Sequence, residues 1–198
     1  MLQLRNIDTN ASTGPFKINP DLDLDALART YAEEGKVRIY GLLADGAVQL
    51  HQYFESHREW IQLITTPEGV TELDPAARAA ISPEQWRDLE TAALVGARTG
   101  FQYRYQALRV PTEREIENDS DLLSCFSRLM KSEPMLALLR RVTGHSQLAF
   151  TDGQATAYDR GDFLTGHDDD IPRKGRLAAY VFGLTPRWRL EWGGLLLF

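Results

Sequence analysis

The feature that most constrains the fold of this chain is a change of sequence texture near residue 145. Before it, apolar residues recur mostly at helical spacing, and after it short alternating runs are separated by glycine turns. The pattern predicts short strands at 147–150, 154–158 and 163–167, with Asp152-Gly153 and Arg160-Gly161 as the turns between them. Short strands at this spacing are typical of a sandwich or a jelly roll.

The first part of the chain is predicted to be mostly helical. Helix start and stop signals, such as the Ser82-Pro83 start with Gln85 as its capping-box partner, delimit most of these elements. Helices are predicted at 23–35, from Asp45 onward, and at 82–95, 121–131 and 134–142, with short strands at 37–40 and 101–105. Periodicity leaves 60–65 open between the end of a helix and a strand.

The length of the chain and its last residues limit the possible domain organisation. A chain of 198 residues fits one domain, with 1–145 as helical support carrying edge strands and 146–198 as the first part of the jelly-roll core. A longer strand is predicted at 176–182, and another begins at Leu195. An apolar strand that stopped at Phe198 would leave an unpaired edge, so we expect the natural chain to continue past it.

Charge and cysteine content exclude several classes of protein. The formal charge of −6 gives no basic field for nucleic acid, and Arg98, Arg104 and Arg109 are interpreted as solvated charges. Cys125 is the only cysteine, so no intramolecular disulfide can form, which fits a reducing compartment. No apolar run approaches the roughly 20 residues of a membrane helix. We therefore expect a cytoplasmic protein that binds neither nucleic acid nor membrane.

His167 and Asp169 are the residues most suggestive of chemistry. Side chains two residues apart lie on one side of an extended strand, so this imidazole and this carboxylate can face a common point. Together they are two thirds of a 2-His-1-carboxylate iron site. The alternative is an acidic turn over 168–170, in which His167 has no role.

The order of the residues around this pair favours the iron site over the acidic turn. Tyr158 precedes the pair, Gly161-Asp162-Phe163-Leu164 leads into it, and Arg176, Leu184-Thr185-Pro186-Arg187-Trp188 and Gly193-Gly194-Leu195-Leu196-Leu197-Phe198 follow. This order resembles the prolyl-4-hydroxylase-like branch of the 2-oxoglutarate/Fe(II)-dependent oxygenases. It looks closest to the subgroup that includes ribosomal-protein prolyl hydroxylases and their bacterial relatives.

The resemblance implies an α+β fold and a set of site residues. The fold would be a double-stranded β-helix, or jelly roll, with the N-terminal helices packed on its outer face and its C-terminal strands missing from this sequence. His167 and Asp169 would bind iron, and Tyr158 would donate a hydrogen bond to a 2-oxoglutarate carboxylate. Arg176 would begin a strand that lines the cosubstrate pocket, and Leu196 would pack near the cosubstrate.

The resemblance also implies an activity. It is a hydroxylase that uses Fe(II), 2-oxoglutarate and O2, with ascorbate as a candidate reductant, and its leading substrate is a prolyl residue in a protein or peptide. Two alternatives stay open: an oxygenase acting on a free amino acid or other small molecule, and a non-catalytic jelly-roll binding module without a complete iron site. The family's distal histidine and its cationic partner for 2-oxoglutarate are expected after Phe198, because His51, His57 and His145 all precede the motif.

Overall fold

The computed structural model describes residues 13–111, 121–169 and 175–196, which divide into two compact units. The first unit is formed by the described parts of Met1–Tyr53 and Val110–Asp152, and the second by those of Phe54–Arg109 and Gly153–Phe198. Each unit is thus built from two separate stretches of the chain. That the whole chain forms a single domain stays a prediction.

Helices and strands alternate along the described chain. The helices are α1 (Leu24–Glu34), α2 (Ala47–Ser56), α3 (Pro75–Ala80), α4 (Pro83–Gly96), α5 (Leu122–Lys131) and α6 (Glu133–Thr143), and a 3-10 turn covers Leu190–Trp192. The strands are β1 (Lys17–Ile18), β2 (Leu43–Asp45), β3 (Ile61–Thr66), β4 (Gly69–Leu73), β5 (Tyr103–Arg109), β6 (Gln154–Ala157) and β7 (Phe163–Leu164). Helices and antiparallel strands therefore make a mixed structure consistent with an oxygenase fold, and the jelly roll itself stays a prediction.

The first unit is a helical cluster with one small β-ladder. β1 pairs antiparallel with β2, and α6 packs against both α1 and α5. Its core contains Phe16, Leu50 and Met135, all almost fully buried, and the Phe16 ring meets the edge of Phe126 at 5.4 Å between centroids. Burial of such side chains is the main stabilising contribution that helices of this length obtain.

The helix boundaries follow the capping signals closely. The Asp23 carboxylate accepts from the Ala26 amide at the start of α1, and Gly35 ends that helix in the left-handed region at φ 69°. At α4 the Ser82 hydroxyl accepts from the Gln85 amide while the Gln85 side chain accepts from the Ser82 amide, which completes the predicted capping box. These local bonds satisfy backbone groups that a helix end leaves unpaired.

The second unit is built on an antiparallel sheet. The strand order is β4-β3-β5-β6, and β7 also pairs with β5, which makes five strands. α4 packs on β3, where Ile64 and Ala93 are fully buried. Because strand residues alternate between faces, the neighbouring Leu63, Tyr103 and Tyr105 lie on the other face of the sheet.

Several predicted strands are wrong in the described residues. No strand forms at 37–40, 147–150 or 176–182, and Asp45 ends β2 opposite Lys17 instead of capping a helix. Segment 60–65, left open by its periodicity, lies in β3. An apolar alternation becomes a strand only where a second backbone supplies a hydrogen-bonded ladder, and that partner is not visible in the local pattern.

Arg104 is buried, so its interpretation as a solvated charge is wrong. Its guanidinium donates to Asp162 Oδ1 at 2.9 Å and to the carbonyl of Arg160 at 3.1 Å, and it pairs with the Glu90 carboxylate on α4. The side chain of Asp162 is itself only 4% exposed. An arginine in the interior is stable only when its donors are matched in this way.

Gly161 is fitted to the same contact. Its φ is 82°, a region that disfavours side chains, and a Cβ there would lie 2.5 Å from Arg104 Nη2. The Arg160 carbonyl and the Asp162 carboxylate therefore hold the loop Asp159–Asp162 against β5, and the absence of a side chain at Gly161 leaves room for Arg104.

The α-helices in the described residues are between 6 and 14 residues long. None of them combines the length and the apolar character that a bilayer span needs.

We predict that Arg104→Met lowers the free energy of unfolding by about 3 kcal/mol, because the substitution leaves the buried Asp162 carboxylate without its cation. Urea denaturation followed by circular dichroism measures the change. The matched control is Arg109→Met on the same strand, where the side chain is exposed and the expected change is within about 0.5 kcal/mol. Equal losses in the two variants would contradict the importance of the ion pairs.

Candidate functional site

The segment that carries the candidate site is attached to β5. β7 pairs with β5 so that Phe163 lies opposite Arg104 and Leu164 opposite Tyr103. Thr165 continues this pairing: its amide donates to the Gln102 carbonyl at 3.0 Å, and its hydroxyl accepts from the Gln102 amide at 2.9 Å. These hydrogen bonds thus fix the chain at Thr165, two residues before His167.

His167 has a defined orientation. Its Nδ1 lies 3.0 Å from the carbonyl oxygen of Thr165, which can only accept, so we assign the proton of the neutral ring to Nδ1. The lone pair is then on Nε2, which lies 3.6 Å from Asp169 Oδ1. Metal-binding histidines are commonly held in this way, with one ring nitrogen donating to a carbonyl and the other facing the metal.

The pair fits two positions on one metal ion. Donors bound side by side at about 2.1 Å from an ion lie roughly 3 Å apart, so the 3.6 Å between Nε2 and Oδ1 would have to shorten by about half an ångström when both bind. One imidazole and one carboxylate also suit Fe(II). In the part of the chain that the structure describes, however, no third histidine, cysteine or acidic residue joins them.

Arg176 lies beside this pair. Its Nη1 is 3.7 Å from Asp169 Oδ1 and 3.5 Å from the Asp169 carbonyl oxygen. The prediction that Arg176 begins a strand is wrong, because 175–189 contains no strand, yet the residue comes close to the predicted ligands. Its cationic group adds positive charge beside the Asp169 carboxylate.

A row of aromatic side chains runs along the face of the sheet on which His167 lies. The rings of Phe101, Tyr103 and Tyr105 follow one another at centroid distances of 5.5 and 5.1 Å. The His167 ring lies 5.4 Å from Phe101 at one end, and the Tyr158 ring lies 5.6 Å from Tyr105 at the other. We call these four aromatic residues, Phe101, Tyr103, Tyr105 and Tyr158, the aromatic row.

The structure places Tyr158 on the same face as His167 without bringing them into contact. Phe101 lies two residues before β5 and four residues before Tyr105, which corresponds to about 13 Å along an extended chain. Burial, with smaller contributions from Tyr105 and Asp162, raises the pKa of Tyr158 above its usual 10.0. Its hydroxyl therefore stays protonated at neutral pH and can donate a hydrogen bond, as a role in binding a carboxylate requires.

The remaining predicted site residues are less informative. Leu196 follows the 3-10 turn in an irregular segment and is 59% exposed. Two other motif residues meet nearby, where Trp188 Nε1 donates to the Gly193 carbonyl at 2.9 Å. Asp170 and Phe198 lie outside the described residues.

Sequence reasoning missed the residues that support His167. The alternation at 101–105 predicts that odd-numbered rings share a face, but not that His167 lies against them. Nothing in the local sequence indicates that Thr165 binds Gln102, because that contact spans 63 residues. The sequence contains no signal for the His167 contact either, because it uses the backbone carbonyl of Thr165, a group that every residue type has.

Comparison with known proteins supports the same chemistry. A family model described as the 2OG-Fe(II) oxygenase superfamily matches residues 153–198, about a quarter of the chain. Comparisons with curated proteins and with solved structures found no match. The family match supports an oxygenase that uses Fe(II), 2-oxoglutarate and O2, and it covers Tyr158, His167, Asp169, Arg176 and Leu196 without assigning their roles.

We predict that Thr165→Val weakens binding of Co(II), used as a spectroscopic substitute for Fe(II), by about threefold to tenfold. Valine keeps the shape of threonine but removes the hydroxyl bonds that fix the chain before His167. Titration of the visible Co(II) absorbance measures the affinity. Thr165→Ser, which keeps the hydroxyl, is the matched control, and a loss of the same size in this variant would argue against the hydrogen bonds.

We predict that Tyr158 ionises late in an alkaline titration. Its raised pKa means that tyrosinate absorbance from this residue appears above pH 10, so Tyr158→Phe should remove amplitude from that part of the curve. A group whose pKa is raised by folding stabilises the protein below pH 10, and this contribution is lost as the pH rises through the folded-state pKa. Loss of amplitude below pH 10 instead would contradict the burial argument.

Proposed function

We propose that this protein is a 2-oxoglutarate- and Fe(II)-dependent dioxygenase in which His167 and Asp169 are two of the iron ligands. The observation that carries the proposal is the orientation of His167. The Thr165 carbonyl accepts a hydrogen bond from Nδ1–H, and Nε2 is left close to the Asp169 carboxylate. This arrangement lies inside the segment that matches the oxygenase family.

The roles of the protein groups follow from their chemistry. Bound Fe(II), with 2-oxoglutarate and O2, would supply the oxidant that converts a C–H bond to C–OH while 2-oxoglutarate becomes succinate and CO2. His167 and Asp169 hold the metal, and Thr165 keeps the imidazole in the tautomer that can bind it. Arg176 lowers the energy of negative charge beside Asp169, since its guanidinium is 3.7 Å from that carboxylate.

Tyr158 and Leu196 are proposed to act on the cosubstrate. The neutral Tyr158 hydroxyl would donate to a carboxylate of 2-oxoglutarate. Because the aromatic row between Tyr158 and His167 is longer than 2-oxoglutarate, this contact requires the two residues to come closer together than they are here. Leu196 would provide an apolar contact for its methylene groups. Support for the first role comes from the shared sheet face, and support for the second comes from the family resemblance alone.

For the substrate, we propose a prolyl residue in a protein, as in the prolyl-hydroxylase-like branch. The aromatic row supports this choice, because flat aromatic side chains pack well against proline rings in extended chains. Phe101, which lies against His167, is 52% exposed, and Tyr158, at the other end of the row, is 47% exposed, so both ends of the row offer ring surface. A free amino acid or another small molecule is the alternative substrate, and ascorbate is a candidate reductant.

One observation favours a second function. In the described residues only two ligands converge, and Arg176 already contributes positive charge to Asp169. A binding module that does not hold iron would show the same arrangement as a surface ion-pair cluster. A metal-binding experiment separates the two functions directly.

The decisive experiment adds Fe(II) and 2-oxoglutarate to the protein without oxygen and records the metal-to-ligand charge-transfer band. We expect a band in the wild type, and its loss in His167→Ala and Asp169→Ala, because each change removes one iron ligand. The matched controls are His145→Ala and Asp88→Asn, which change the same residue types away from the site and should keep the band.

Two outcomes would contradict the proposal. A band that survives in His167→Ala would mean that the ligands are elsewhere. Absence of the band from the wild-type natural chain at saturating Fe(II) and 2-oxoglutarate would favour the non-catalytic module. Mass spectrometry of a proline-containing peptide incubated with O2 then tests the substrate, by a gain of one oxygen atom.

A further inference from the structure

A second cleft lies on the opposite face of the sheet from His167. Its volume is about 540 Å³, within the range of small-molecule sites, and it opens between the start of α4 and the loop Asp159–Asp162. Arg104 and Gln62 contribute to its wall, and both belong to the sheet face covered by α4. None of the predicted iron or cosubstrate residues lines it.

The cleft is locally cationic although the chain carries a net charge of −6. The Arg104 charge is already matched by Glu90 and Asp162. The other charged residues of the cleft are Arg78, Arg87, Arg160 and Asp159, so four arginines against three carboxylates give the cleft a net charge of +1. The Asp159 carboxylate is partly used, since it accepts from the Arg160 amide at 2.7 Å.

A flat apolar surface lies beside these cations. Trp86 is half-buried in the cleft, with Ile81 and Pro83 as its neighbours there, and the Arg78 guanidinium lies 5.7 Å from the centre of the indole ring. Arg87 and Arg160 are exposed and able to turn their planar groups towards a ligand. An indole face next to guanidinium groups suits a ligand that is flat at one end and anionic at the other.

We propose that this cleft binds a small organic anion, namely a phosphate or carboxylate group carried on a flat apolar ring. The anion would pair with Arg87 and Arg160, whose guanidinium groups donate two parallel hydrogen bonds to such oxygens. The ring would lie against Trp86. The start of α4 adds little, because the capping box occupies the Gln85 amide that would otherwise donate.

This site is independent of the candidate iron site. The cleft and the aromatic row lie on opposite faces of β5, because Arg104 and Tyr103 are adjacent residues on one strand. The inference therefore goes beyond the proposed oxygenase function and can be tested on protein without metal. A negative result for either site leaves the other unchanged.

The test uses phenyl phosphate and benzoate as probes, with binding measured by calorimetry and by tryptophan fluorescence. Inorganic phosphate and phenol, the separate parts of phenyl phosphate, should bind at least about tenfold more weakly than phenyl phosphate. The double variant Arg87→Gln/Arg160→Gln should lose about tenfold in affinity, equivalent to about 1.4 kcal/mol. Trp86→Leu should lose about threefold to tenfold.

The matched control is Arg29→Gln/Arg98→Gln, which removes two exposed arginines elsewhere and should change the affinity by less than about twofold. Thermal unfolding verifies that each variant is folded. The proposal is overturned if neither probe binds saturably, or if both double variants weaken binding equally, which would indicate nonspecific charge attraction. Preference for phenyl phosphate over benzoate, or the reverse, identifies the anion that the cleft takes.

Discussion

The pairing of the buried Arg104 guanidinium is the interaction on which the second unit depends. An unmatched charge in that position would cost several kcal/mol, so Glu90, Asp162 and the Arg160 carbonyl have to be in place together. The pairing of the Arg104 guanidinium fixes α4, β5 and the loop Asp159–Asp162 relative to one another. β7 begins directly after that loop, and His167 lies three residues past the end of β7. The candidate iron ligands are therefore positioned by a contact in which they take no part.

The alternation of side chains along β5 separates the two candidate sites. Tyr103 and Tyr105 lie on the face that leads to His167, while Arg104 lies on the face covered by α4. A single strand thus carries an aromatic surface on one side and an ionic one on the other. The loop Asp159–Asp162 borders both, because it lines the cleft and precedes the strand that leads to the histidine.

The sequence predicts an element well when the interactions that form it join residues close together in the chain. Helices α1, α4 and α6 begin and end at capping residues within a few positions, so the sequence predicts them well. Strands at 37–40 and 176–182 were wrong because no ladder partner can be recognised locally. The spacing of His167 and Asp169 predicted their convergence, and the structure brings them together although β7 ends at Leu164. The Arg104 and Thr165 contacts span 58 and 63 residues, beyond the range of any periodic pattern.

The long sequence separation of the Arg104–Asp162 contact also orders events during folding. Closing a loop of this length costs chain entropy before any contact compensates for it, so such contacts tend to form slowly. The chain around His167 has no fixed position until the loop Asp159–Asp162 and β7 have both packed onto β5. A metal ion would then meet two ligands of unfixed orientation in the nascent chain and an oriented pair only in the assembled sheet. Metal loading would follow folding of this unit and would not guide it.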